Sequence, residues 1–239
     1  MKNLLSTYLD KRMEGPIQPY GRSSEPGPVI TISREVGCKG LKMAGLIAEM
    51  LYKHSFGHRW KVLSKEVFYE SAKELNLDYN RVTRVFKSSD KYTFEEMLNA
   101  FSNRYYINER KIVKTVVDVI HSFAVEGFCI IVGRAGHLIA GDIKNSLHLR
   151  LVAPLEYRVE NVVKSKRINR DKALEYINVT EKERLAFRKA LSKDELSEEK
   201  FDLVINCASF SSNSVVDMVQ NAVMEKKMFA GIKEQVFLF

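Results

Sequence analysis

Residues 28–51, PVITISREVGCKGLKMAGLIAEML, leave few folds open. VITIS (29–33) is an apolar, β-branched run of strand length, and 42–54 carries apolar residues at helical spacing. Between them, residues 34–40 form a compact turn containing Gly37 and Gly40. A strand that passes through a glycine turn straight into a helix is a unit of parallel α/β architecture. Such a turn also sets backbone N–H groups against the positive end of a helix, a geometry suited to an anion such as phosphate. The spelling is not the usual G-x-x-x-x-G-K-[ST].

The rest of the chain repeats this alternation. WKVLS (60–64), FCIIVG (128–133), SLHLRLVA (146–153) and FDLVINC (201–207) read as further strands. FCIIVG is almost wholly apolar, as a strand buried on both faces must be. Helical patterns cover 65–75, much of 80–126, 155–166, 170–177, 180–191 and 212–227. Five strands joined by helical segments predict an α/β fold, a five-stranded parallel sheet with helices on both faces. Ligands of such sheets sit beyond the carboxyl ends of the strands. The segments expected there are 34–42, Gly133-Arg134-Ala135-Gly136 and Ala153-Pro154-Leu155. Residues 1–28 hold four of the five prolines and read as a short helix followed by an irregular arm.

Composition excludes several classes. No apolar run approaches the roughly 18 residues of a membrane span, and the N-terminal run is interrupted and partly acidic, a poor signal peptide. The expectation is a cytoplasmic protein without a membrane partner. Cys38, Cys129 and Cys207 are widely spaced and form no metal-ligand pair, so reduced thiols are expected. The five histidines show no metal spacing, and neither a G-x-S-x-G elbow nor a G-x-G-x-x-G turn after the first strand is present. The formal charge of +8 suits phosphorylated ligands or nucleic acid. Aromatic residues are not interleaved with the basic stretch 164–170, which disfavours a nucleic-acid platform.

Three sets of residues can carry chemistry. In the turn, Gly37 and Gly40 permit close backbone approach, while Arg34, Lys39 and Lys42 add charge. After FCIIV, Gly133 and Arg134 deliver a guanidinium to the ligand edge, where it can grip a phosphate through two parallel bonds. The third set is Arg158, Lys164, Lys166, Arg167 and Arg170, followed by Arg184 and Arg188 one helical turn apart. Arginines on a helical cover can neutralise the oxygens of a transferring phosphoryl group. For each set a plain structural role, as turn, strand cap or solvated helix face, is the competing reading.

Taken together, ITISREVGCKG, IIVGRAG, APLEYRV, INRDKALEYINVTEKER and FDLVINCASFSSNSVVDMV, in that order, resemble the cytidylate kinase-like family of P-loop nucleoside-monophosphate kinases. The resemblance spans 29–223. It implies a three-layer P-loop kinase fold whose core is 29–64 and 127–239, with a helical acceptor-binding insertion at 65–126 and a lid at about 156–191. It places Arg34, Gly37, Cys38, Lys39, Gly40, Leu41 and Lys42 in the phosphate loop, and Arg134, Arg158 and Arg184 among the phosphate- or substrate-contacting arginines. It implies ATP or GTP as donor, Mg²⁺ if the chain is catalytic, and a nucleoside monophosphate or other small phosphorylated acceptor, CMP among them.

The departures are specific. Gly40 stands where cytidylate kinases carry the phosphate-binding lysine, and Lys42 where they carry the hydroxyl that touches Mg²⁺. Relatives reading G-S-G-G-R-E also lack the lysine; this chain further has Lys39 for a glycine and Leu41 for the arginine. Ala135 replaces an aspartate, and Ser64 stands where an acidic residue often closes the second strand. Asp142 and Glu35 are metal-ligand candidates by position alone. The expected activity is transfer of the γ-phosphoryl of ATP to a nucleoside monophosphate or another small acceptor. The alternative is a non-catalytic nucleotide- or phosphate-binding protein on the same fold.

Overall fold

The computed structural model describes residues 27–55, 57–64, 117, 120–191 and 199–232. The N-terminal arm at 1–28, except its last two residues, and most of the insertion at 65–126 lie outside the described residues.

Strand β1 (Val29–Arg34) runs into helix α1 (Gly40–His54), followed by β2 (Lys61–Leu63). A helical turn at 120–126 leads to β3 (Cys129–Val132), a short helix α2 (Gly136–Ile139) and β4 (Ser146–Val152). Helices α3 (Leu155–Lys166) and α4 (Arg170–Leu191) precede β5 (Leu203–Asn206) and α5 (Ser212–Glu225). These five strands pair in parallel in the order β2-β3-β1-β4-β5. This is the five-stranded parallel sheet that the sequence predicts.

The strand sequences alternate between two buried faces. Ile30, Ile32, Ile130, Leu147, Leu149 and Leu151 meet Ala44, Ile47 and Leu51 of α1 and Val215, Val219 and Val223 of α5. Val29, Cys129 and Ile131 face the other way, against Ile120, Phe123, Ala124 and Ile139. Covering both faces leaves no room for polar alternation in β3, which explains its unbroken apolar spelling. Each fully buried Ile or Leu contributes on the order of 2 kcal/mol through apolar area removed from water.

Helix α4 corrects the sequence reading. The chain was expected to form two helices, 170–177 and 180–191, but it is one helix through Asn178, Val179 and Thr180. Those three residues are weak helix formers, yet none is glycine or proline. Packing overrides the preference: Ala173 and Ile177 are buried with Val36, Val159 and Val162 in a third apolar cluster. That cluster ties α3 and α4 to the turn after β1.

Register decides where the ligand edge lies. Ile32 pairs with Val132 and Arg34 with Leu151, so β1 outlasts β3 by two residues. Gly133 N–H still reaches Ile32 O at 2.9 Å. The carboxyl ends of β1, β3, β4 and β5 therefore open on one edge, where Arg34, Gly133, Ala153 and Cys207 come together.

Candidate active site at the carboxyl edge of the sheet

The turn between β1 and α1 is shaped by left-handed backbone. Gly37 has φ 97°, and Lys39, immediately before α1, has φ 47° and ψ 37°. A glycine is demanded at 37 twice over: a Cβ there would also stand 2.7 Å from Arg158 Cα. Lys39 holds a conformation that disfavours side chains with a Cβ. Among the described residues no side chain caps α1, and its first turn contains no acid. By contrast α5 is capped by Ser211, whose hydroxyl accepts from Ser214 N–H. The start of α1 thus offers backbone donors to an anion.

Helices α3 and α4 hold this turn directly. Asn161 Nδ2 donates to Gly37 O at 3.1 Å. Glu181 accepts from Val36 N–H at 2.5 Å, and Arg184 Nη1 donates to Arg34 O at 2.8 Å. Glu35 accepts from Ala153 N–H at 3.0 Å and lies 3.4 Å from Arg158 Nε. Arg158 Nε also donates to Ala153 O at 3.0 Å, and its Nη1 is 3.8 Å from Glu181. Burial lowers the pKa of Arg184 against the pull of Glu181, though not enough to discharge a guanidinium at neutral pH.

Asn161 was not singled out from the sequence, and Glu181 entered only as an acidic partner in the solvated-face reading of the basic helices. Their signal was spacing: Asn161 lies three residues after Arg158, and Arg184 three after Glu181, so each pair shares a helix face.

A second left-handed segment closes β3. Gly133, Arg134 and Ala135 have φ of 75°, 53° and 50° in succession. Consecutive strained residues of this kind persist only where the surroundings fix them. The turn carries Arg134 toward α4, where its guanidinium lies 5.8 Å from the Phe187 ring centre.

The structure therefore brings Arg34, Arg158 and Arg184 together around the turn, with Arg134 beside it. Lys39, Leu41 and Lys42 are exposed at the start of α1. Cys38 is buried, and its thiol is raised far above the ordinary range by its hydrogen bond to Cys207 and by burial. The helix partner of Arg184 goes elsewhere: Arg188 Nε lies 2.8 Å from Glu199, which also meets His137 Nε2 at 3.1 Å.

The carboxylates that meet this turn are Glu35 and Glu181, and each lies against an arginine. Among the described residues no group of three His, Cys, Asp or Glu side chains could hold a metal ion. Glu35 is engaged by Ala153 and Arg158, and Lys42 occupies the hydroxyl position. Asp142 precedes β4, at the opposite end of the sheet, and pairs with His121 at 3.2 Å.

The sequence profile of the cytidylate kinase-like family matches residues 29–209, which include every strand and the whole of this edge. The chain belongs to the cytidylate kinase-like family. Its family and its parallel sheet make it nucleotide kinase-like, on the P-loop kinase fold. It is 28% identical over 200 residues to a cytidylate kinase of Methanocaldococcus jannaschii, covering 82% of this chain and 97% of that one. It is 31% identical over 104 residues to a uronate isomerase of Corynebacterium glutamicum, covering 43% of this chain. The chain spans only 20% of that relative's length. The crystal structure of an uncharacterized protein from Eubacterium ventriosum superposes with a TM-score of 0.60 at 19% identity. That alignment covers 83% of this chain and 98% of the other, and it supports the fold alone. Among the described residues, no helix is long and apolar enough to cross a membrane.

Proposed function

We propose that this family member is a phosphotransferase moving the γ-phosphoryl of ATP, or GTP, to a nucleoside monophosphate, with CMP the first acceptor to try, or to another small acceptor. One observation carries the reading. The uncapped start of α1 opens on the same edge as Arg34, Lys39, Lys42, Arg134, Arg158 and Arg184, against the carboxylates of Glu35 and Glu181.

In this reading the turn around Gly37 and Gly40 takes the donor phosphates on its backbone N–H groups, with Lys39 and Lys42 as point charges. Arg134 holds the acceptor phosphate. Arg158 and Arg184 each spend one or two of five N–H donors on the protein, leaving others for the transferring oxygens. An acceptor phosphate oxygen attacks the γ-phosphorus in line, the bond to the β-phosphate oxygen breaks, and the nucleoside diphosphate departs. Such a reaction is accelerated by positioning and charge neutralisation rather than by covalent chemistry from the protein. Lid helices α3 and α4, already bonded to the turn, would exclude water and limit hydrolysis of the donor.

The test is a coupled ADP-release assay across the nucleoside monophosphates, with Mg²⁺ supplied in solution. Turnover with one or more acceptors is expected; folded protein that turns over none refutes the enzyme.

A second reading is a non-catalytic nucleotide-binding protein on the same fold. It is favoured by Gly40 and Lys42 at the lysine and hydroxyl positions and by the engagement of Glu35 with Arg158. Calorimetric ATP binding without turnover supports it, and absence of nucleotide binding excludes it.

A further inference from the structure

The loop lacks its lysine, yet the space that lysine would enter is filled by another cation. A Cβ built on Gly40 would stand 3.0 Å from Arg34 Cγ and 3.2 Å from Arg34 Cδ. The Arg34 side chain therefore runs across the α-carbon of residue 40. It continues toward β3: a Cβ on Gly133 would stand 1.8 Å from Arg34 Nη1 and 2.8 Å from Cζ. Two glycines, one in α1 and one at the end of β3, form the channel through which this side chain passes. A Cβ at Gly133 is incompatible with the observed position of Arg34, and a Cβ at Gly40 would crowd its stem.

We propose that Arg34 performs the phosphate-binding role of the missing lysine, entering the loop from its first residue instead of from the first turn of the helix. The proposal rests on the phosphotransferase reading above and assigns it a specific cation. The guanidinium lies on the α-carbon of Gly133, between the start of α1 and Arg134. That is the junction of the proposed donor and acceptor phosphates.

The main chain at Arg34 is fixed. Its carbonyl accepts from Arg184 Nη1 at 2.8 Å, and the next backbone N–H, that of Glu35, donates to Leu151 O at 3.0 Å. An anchored stem and a planar fork give a preorganised site for phosphate oxygens. Lys39 and Lys42, the other cations of the loop, are exposed at the start of α1. A hydrated surface ammonium is a weaker partner for a phosphate than a guanidinium lodged at the strand ends. The same geometry explains why lysine could be lost from position 40: with arginine at 34, any side chain at 40 meets the Arg34 stem.

The experiment is a swap of the two positions. ATP, ADP and AMP binding by calorimetry, and turnover with the best acceptor, are measured for wild type, Arg34→Met, Gly40→Lys and the double variant Arg34→Gly/Gly40→Lys. Melting temperatures accompany each. Arg34→Met is expected to weaken ATP binding at least tenfold and AMP binding far less, because the lost contact is with the distal phosphates. Lys39→Met and Lys42→Met should each lose less than Arg34→Met. Gly40→Lys alone should also lose affinity, since its side chain collides with Arg34. The double variant, with the lysine restored and its obstruction removed, should recover at least half of the lost binding free energy.

Arg34→Lys serves as a conservative control for folding, and it should bind ATP more weakly than wild type at an unchanged melting temperature. Wild-type ATP affinity in Arg34→Met overturns the inference while leaving the phosphotransferase reading intact. So does a double variant whose losses simply add. Wild-type protein that neither binds nor turns over any nucleotide overturns both.

Discussion

The carboxylate of Glu181 accepts the backbone N–H of Val36 at 2.5 Å, joining the middle of the long helix α4 to the turn after β1. The same oxygen lies 3.8 Å from both Arg158 Nη1 and Arg184 Nη1. One acidic side chain thereby orders the turn and two of the arginines placed at the site. A hydrogen bond from a backbone amide to a charged group is worth about 2 kcal/mol. Glu181→Ala should lower stability by about that amount. Glu181→Gln keeps an acceptor without the charge and should fall between the two. Urea unfolding midpoints measure both; an Ala variant as stable as wild type contradicts the clasp.

Lys39 sits at φ 47°, where both family spellings of this loop carry glycine. A left-handed residue with a Cβ costs about 1–2 kcal/mol, part of which glycine returns through its greater freedom in the unfolded chain. Lys39→Gly should therefore stabilise by about 0.5–1 kcal/mol, raising Tm by roughly 1–3 °C for a chain of this size. Scanning calorimetry decides it, and a lower Tm would show that the Lys39 side chain contributes more than its backbone costs.

Acid should weaken this protein before its carboxylates are protonated. Burial lowers the pKa of His148, whose ring nitrogens meet Thr31 Oγ1 at 2.8 Å and Ser146 Oγ at 3.2 Å. Burial also lowers His137, with Arg188 acting in the same sense and the bond to Glu199 in the opposite one. Both rings bind fewer protons when folded than when unfolded. Their native neutral forms cost nothing above the ordinary histidine value of 6.5, and stability falls as pH drops from there through the lowered values. Asp202, beside His148, lies outside this window. Burial opposes its charge, but the His148 N–H and Lys226 hold it below its ordinary 3.8, so its contribution is lost only at lower pH. Urea midpoints between pH 7.5 and 5.0 should decline, and His148→Gln should flatten the decline. A wild-type profile level over that range refutes the assignment.

The thiols should be slow to alkylate. Cys38, Cys129 and Cys207 are all buried. Burial pushes Cys129 up to about 12, and the bond to Cys207 together with burial raises Cys38. The reactive thiolate is thus scarce at Cys38 and Cys129, whereas the bond to Cys38 lowers Cys207, whose protection rests on its burial alone. Mass spectrometry after iodoacetamide treatment should find the folded protein largely unmodified and the urea-unfolded chain modified at all three cysteines. Rapid labelling of Cys38 in folded protein would mean that the turn after β1 opens.

Much of the fold is written locally. The spelling of FCIIV requires a strand covered on both faces, and 29–51 requires a strand, a tight turn and a helix in that order. These features specify a parallel α/β sheet, and they place the turn, Arg134 and the start of α3 at one edge. Local signals also misled: Asn178, Val179 and Thr180 read as a break because their intrinsic preference is weak, whereas α4 runs through them. Burial of Ala173 and Ile177 outweighs a few tenths of a kcal/mol per residue.

The site's wiring was not legible in the same way. Arg34 was readable as a charge near the turn, but its route across Gly40 and Gly133 depends on β3 lying next to β1 and ending two residues sooner. The contact of Glu181 with Val36 depends on how two helices cross back over the strand ends. Periodicity and turn chemistry act between residues a few positions apart, so the sequence by itself determined the elements and which of their ends carry charge. Strand order, register and helix crossing arise from packing between distant segments, and only the tertiary structure decided which charge meets which backbone.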